Sequence, residues 1–198
     1  NADALEQHNI RMIPFAGDKN QIVQEWQEAP RVDQVIKDAL NHQDVEKVTL
    51  LIDELKEQLR MSSMMYLSKS CVCSPVNYKF SFNDEKEILI DGYIDMTFVN
   101  SFYIAEQITF FDQEWRFQDV PLNFIVYRAL KYCVNNNSDF ELLVNLAGIT
   151  REEVEQYDSA ETMMLQNMMD VRKCNMFDPG MYHDALTLEY QDAVRADE

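Results

Sequence analysis

Apolar residues recur along this chain at two spacings, and the change of spacing divides it. From Pro30 to Arg60 they fall three and four apart. Val32, Val35, Ile36, Ala39 and Leu40 share one helical face behind Pro30, whose missing N–H costs nothing at a helix start. Asn41-His42 breaks that run. Asp44 supplies a cap, and Val45, Val48, Leu51 or Ile52, Leu55 and Leu59 line a second helix. Asp53, Glu54, Lys56, Glu57 and Arg60 take its wet side, and Met61–Tyr66 is expected to extend it by a few residues.

The period then shortens to two. Ser70–Pro75 reads as a strand or loop, since Pro75 stops a helix. Tyr78, Phe80 and Phe82 alternate with polar residues, Asn83-Asp84-Glu85-Lys86 is expected to turn, and Ile88–Val99 is β-rich. After a turn at Asn100-Ser101, Ile104, Ile108 and Phe110 are expected on one face of a further strand. Helical spacing returns behind Asp119-Val120-Pro121, with Leu122, Ile125, Val126, Ala129, Leu130, Cys133 and Val134 on one face. Ser138 to Glu141 and Thr150 to Glu153 fit capping boxes, and Gly148 fits a helix stop. The last long helix should run from Thr150 to about Asn175, ending at Asp178-Pro179-Gly180. The expected fold is α+β, mostly α: a helical bundle over 30–180 with a small antiparallel β region inserted at about 76–111. An N-terminal arm or irregular segment occupies 1–29, and a tail with a weak apolar stripe occupies 181–198.

Composition narrows the function. Hydrophobic residues make up 46% of the 198, enough for a real core. The formal net charge of -18 argues against a protein that grips DNA by clustered Lys and Arg. It suits a passage that DNA slides through, a DNA mimic or a mate for a basic partner. No apolar run reaches the length of a membrane span, so no membrane partner is expected. Asn1–Leu5 does not read as a secretory leader, and with no initiating Met the chain is expected to begin inside a longer gene product.

Catalytic chemistry finds little support. Structural zinc sites show ligand pairs two to four residues apart. Cys71 and Cys73 are separated by one residue and are expected to point apart, while Cys133 and Cys174 sit on or beside apolar stripes, so no metal is expected. His8, His42 and His183 have no motif spacing, and the four glycines build no phosphate loop. Neither an enzyme nor a cofactor is expected. Met12-Ile13 and Phe15 form an apolar patch that reads as an extended arm or a buried loop. Met163-Met164, Met168-Met169, Met176 and Met181 read either as core filling or as an adaptable contact surface.

Three stretches carry a family resemblance. The early helix Asp44–Arg60 leads into a sheet, Ile108–Pro121 runs as a strand into an acidic residue and proline before the buried helix Leu122–Val134, and a long acidic helix from Glu153 ends near Asn175-Met176. This layout resembles the head-to-tail adaptors of short-tailed bacteriophages, also called tail tubular protein A or gatekeeper. The resemblance implies a structural virion protein of the neck, assembled in the host cytoplasm. It implies self-association as a twelve-fold ring, a dodecamer, between a portal protein and a tail nozzle or tail tube protein. DNA would pass through that ring without specific binding. Met12, Ile13, Phe15, Met164, Met168, Met169, Met176 and Phe177 are the expected interface residues. The alternatives are a soluble acidic inhibitor that mimics DNA or blocks a basic protein surface, and another tail or baseplate assembly component.

Overall fold

A computed structural model describes residues 2–17, 22–24, 26–113 and 115–174. Residues Asn1–Tyr157 form one compact unit and Asp158–Glu198 a second. The first unit opens with α1 (Ala2–Gln7) and the short hairpin β1 (Phe15–Gly17) and β2 (Ile22–Gln24). Helix α2 (Val32–Asn41) follows, two residues later than Pro30 suggests, and then α3 (Val45–Ser62). The Asp44 carboxylate accepts from Lys47 N–H at 3.0 Å, satisfying one of the free donors of the first turn of α3.

Strands then dominate to Pro121. β3 (Met65–Cys73) and the 16-residue β4 (Tyr78–Tyr93) form a long antiparallel hairpin. The 3-10 turn Phe98–Asn100 leads into β5 (Ser101–Ile104) and β6 (Gln107–Phe110). β7 (Arg116–Pro121) returns to β4, giving a three-stranded sheet in the order β3-β4-β7 beside the separate pair β5-β6. A Cβ on Gly92 would meet Val120 Cβ at 2.5 Å, so the β4–β7 approach requires glycine there. Helices α4 (Leu122–Lys131), α5 (Asn137–Leu146) and α6 (Arg151–Cys174) close the order.

The architecture is therefore mixed, which corrects the expected mostly helical bundle with a small β insert. A first strand pair already stands at β1 and β2, and the central β region begins at Met65 instead of about 76 and ends at Pro121 instead of about 111. Two physical reasons account for the difference. Asn83-Asp84-Glu85-Lys86 is no turn but the solvent-facing irregular stretch of β4, where the register with β3 shifts. The real hairpin turn lies at Ser74–Asn77, where Asn77 takes a left-handed φ of 57°. The second is Ala105-Glu106, where both residues have positive φ and fold what looks like one strand into the β5–β6 hairpin.

The core lies where α3 and α4 meet the sheet. Leu51, Ile52, Leu55 and Leu59 of α3 and Ile125, Val126, Ala129 and Leu130 of α4 are fully buried or nearly so, with Ile88 and Leu89 of β4. The two helices touch each other and β4. The N-terminal segment joins this core: Leu5, Ile10 and Ile13 are buried. Ile13 N–H donates to Phe110 C=O at 2.8 Å and Phe110 N–H to Arg11 C=O at 2.9 Å, adding a strand contact to β6. Leu130→Ala should cost about 2–5 kcal/mol in denaturant melts. A loss under about 0.5 kcal/mol would place α4 at the surface.

Candidate interaction surface

The β3–β4 hairpin has two unlike faces because strand side chains alternate. On the inner face Cys71 lies opposite Phe80 and both are buried, as are Cys73 and Val76. On the outer face Val72 lies opposite Lys79 and Ser70 opposite Ser81, all exposed. Toward the base of β3 the exposure becomes general, with Met64 74% exposed, Leu67 60%, and Met65 and Tyr66 also open. Val72 is half exposed at 50%.

Aromatic packing fixes the inner face. Phe80 meets Phe124 of α4 at 5.6 Å between ring centroids and Tyr157 of α6 at 5.8 Å. Phe124 and Tyr127 reach Tyr157 at 5.7 and 5.6 Å, so one cluster joins hairpin, α4 and the start of α6. Polar contacts brace the same junction. The Gln156 amide accepts from Ser81 N–H at 3.0 Å and donates to Ser81 C=O at 2.8 Å, acting as a substitute strand on the β4 edge. Asn83 donates to Glu152 at 2.7 Å, and Arg60 grips Glu87 through two nitrogens at 2.9 and 3.0 Å. Tyr66 OH donates to Asp119 at 2.9 Å, and burial together with that carboxylate pushes the phenol up to about 12.

Charge is segregated along this hairpin: its distal half, residues 69–83, is free of acids, whereas Asp84, Glu85, Glu87 and Asp91 follow on β4. From Gln58 to Asn83 the chain has no acidic residue but carries Arg60, Lys69 and Lys79. Lys69 and Lys79 are exposed, and neither has an ion-pair partner among the described residues. In a chain with a net charge of -18 this is a local reversal of sign. Sequence reasoning missed the stretch, although the gap in the acidic residues is enough to single it out.

The other chemical candidates are quiet. Cys71 and Cys73 face the same side of β3, correcting the expectation that they point apart; residues two apart in a strand share a face. Burial pushes the Cys71, Cys73 and Cys133 thiols up to about 12, which keeps them protonated and poorly nucleophilic. Among the described residues no group of three His, Cys, Asp or Glu is placed to hold a metal ion. His8 and His42 are exposed, and His183 lies outside the described residues. A groove of about 560 Å³ beside α5 is lined by Phe140, Val144 and Ile149 with Glu141 and Arg151 at its rim, and offers no convergent polar set.

The expected interface residues are scattered. Ile13 is buried in its own fold and Met12, half exposed, bridges to Phe110. Met164 is buried on α6. The side chains of Phe15, Met168 and Met169 and all of Met176 and Phe177 lie outside the described residues. No helix of the described residues is long and apolar enough to cross a membrane. Compared with known proteins, the chain matches no family model, no curated sequence and no solved structure.

Glu153 holds the α6 start under the hairpin. Its carboxylate accepts from Thr150 N–H at 2.9 Å while its own N–H donates to Thr150 Oγ1 at 3.2 Å, the expected capping box, and Lys86 of β4 pairs with it at 3.1 Å. Burial raises this carboxyl, but the Thr150 and Lys86 bonds outweigh it, so its folded value falls below the ordinary 4.5. A carboxyl depressed on folding stabilises the fold above its unfolded value and stops doing so as pH falls through the folded one. Glu153→Gln should therefore lose about 1–3 kcal/mol near neutral pH. It should also show a shallower loss of stability than wild type as pH drops below about 4.5. Parallel acid-melting curves of the two proteins would contradict this.

Proposed function

We propose that this chain is a structural protein that works by assembly, and that its assembly is the head-to-tail adaptor ring of a short-tailed phage particle. The observation that carries the reading is the exposed stretch of β3. β3 is the edge of its sheet; the Ser74–Gln118 bridge and the Tyr66–Asp119 bond tie it to β7, but over Met65–Val72 its outer side has no strand ladder among the described residues. Such an apolar edge on a lone soluble domain invites pairing with another chain, and proteins normally blunt it. This protein blunts its other edges. Gln156 seals β4 at Ser81, and Glu54 accepts from Ile108 N–H of β6 at 2.7 Å while Gln58 donates to Ile108 C=O at 3.3 Å.

Further support comes from the run of β7 through Asp119 and Pro121 straight into the buried α4, the strand–proline–helix junction on which the adaptor resemblance rests. The acidity suits a channel wall, since carboxylates facing DNA repel its phosphates and let the genome slide. In this reading the portal lies on one side of the ring and a tail nozzle or tube on the other. A rival acidic inhibitor would need its carboxylates as the contact surface and would leave the basic, apolar hairpin without a role.

The test is to incubate the protein with purified portal rings of the phage that encodes it and separate the mixture by size. Co-elution as a ring complex, with the chain present in purified particles, supports the adaptor reading. A chain absent from particles that leaves portal rings untouched overturns it, and capture of a DNA-binding protein in its place favours the inhibitor.

A further inference from the structure

We propose that the outer face of the β3–β4 hairpin docks onto the solvent face of α3 of a second copy of this chain. The inference rests on the assembly reading above and names the surfaces that carry it. The occupant follows from charge. On the distal half of the hairpin, residues 69–83, Val72 lies opposite Lys79 on the outer face, Lys69 is also exposed, and there is no carboxylate; the acids of β4 begin at Asp84, and Leu67, nearer the base, lies opposite Glu87. The complement of this distal half must be apolar and acidic. Helix α3 carries that complement: Glu46, Leu50, Asp53 and Glu57 recur at intervals of four, three and four residues, which puts them in one stripe. All four are exposed, and Leu50 is 60% exposed although every other Leu of the helix is buried.

A leucine left in water between three acids has no use in a lone α3, whose opposite side already fills the core with Leu51, Ile52, Leu55 and Leu59. Set against the hairpin, Leu50 meets an apolar partner while Glu46, Asp53 and Glu57 face the lysines. The contact removes two apolar patches from water and places opposite charges around them, the layout of an apolar centre with a charged rim. It also offsets the self-repulsion that a net charge of -18 imposes on any pair of copies. The two surfaces are different patches of one chain, so hairpin-to-α3 contacts can be repeated head to tail, as a ring requires.

The test uses the full chain and charge reversal. Lys69→Glu with Lys79→Glu makes the hairpin acidic, and Glu46→Lys with Asp53→Lys makes the α3 stripe basic. Self-association is measured by sedimentation over a concentration series, in low and in high salt. Each pair of reversals alone should weaken self-association at least about tenfold. Mixing the two variants, or combining all four changes in one chain, should restore it, and salt should weaken the wild type. Restoration also proves that the reversed chains still fold. If wild type self-associates and neither pair of reversals alters it, the docking is wrong while the assembly reading stands. If reversal weakens association but the combined chain, folded by circular dichroism, does not recover, the two surfaces are not partners. If wild type stays monomeric at every concentration and with portal rings, the assembly reading and this inference both fall.

Discussion

The aromatic cluster of Phe80, Phe124, Tyr127 and Tyr157 is the constraint from which the rest of the first unit follows. It ties a hairpin strand, a central helix and the start of α6 at one point. Rings at these separations contribute more than their buried area alone. Once Phe80 points into the cluster, the period of two leaves no freedom at its neighbours. Cys71, directly opposite, must turn inward, and Lys79 and Val72 must turn outward. Burial in that environment leaves the Cys71 and Cys73 thiols protonated, so the same packing that orders the hairpin removes the one cysteine pair from chemistry.

The protein treats its strand edges unequally. Side chains from helices finish the β4 and β6 edges, and residues 11–13 extend β6 further. The bracing at β4 is extensive, since Gln156, Glu152 and Glu153 all reach the hairpin from one helical turn. The β3 edge is tied to β7 only at its end, where Ser74 and Gln118 exchange backbone hydrogen bonds at 3.1 and 2.9 Å, and by the Tyr66 hydroxyl on Asp119; between these points it carries exposed Leu67 and Val72. An edge strand can be protected by charge. Here Lys69 and Lys79 provide a charge that repels cations but attracts the carboxylates that dominate the rest of the chain. In the proposed docking, protection against unrelated strands and attraction toward a second copy come from the same two lysines.

Helices were legible in the sequence because their signals are local. The Asp44 cap, the Thr150–Glu153 box and the left-handed Gly148 at φ 67° stand where spacing and chemistry put them. The α5 cap is Asn136, which accepts from Asp139 N–H, instead of Ser138; in Asn135-Asn-Asn-Ser138 several residues can cap equally well. Strands were less legible because their boundaries depend on partners far away in sequence. The polar run Asn83–Lys86 stays in β4 because β3 and α6 hold it there, and no turn residue marks Ala105-Glu106. The apolar N-terminal patch gave no hint of choosing its own β6 over a neighbour. The hairpin surface was legible in charge alone, through the missing acids, but its outward face required the register.

Amide hydrogen exchange on the wild-type chain, at a dilution where it is monomeric and at a concentration where it assembles, tests the central claim most directly. In the monomer, β3 amides facing away from β4 should exchange faster than those of β4 at Ile88 and Leu89, where β4 is paired with both β3 and β7. Assembly should slow exchange over residues 64–72 and at the outer stripe of α3, leaving residues 11–13 unchanged because they are already bonded to Phe110. Slowing confined to other segments, with 64–72 as open as in the monomer, would contradict the hairpin as the surface on which this protein assembles.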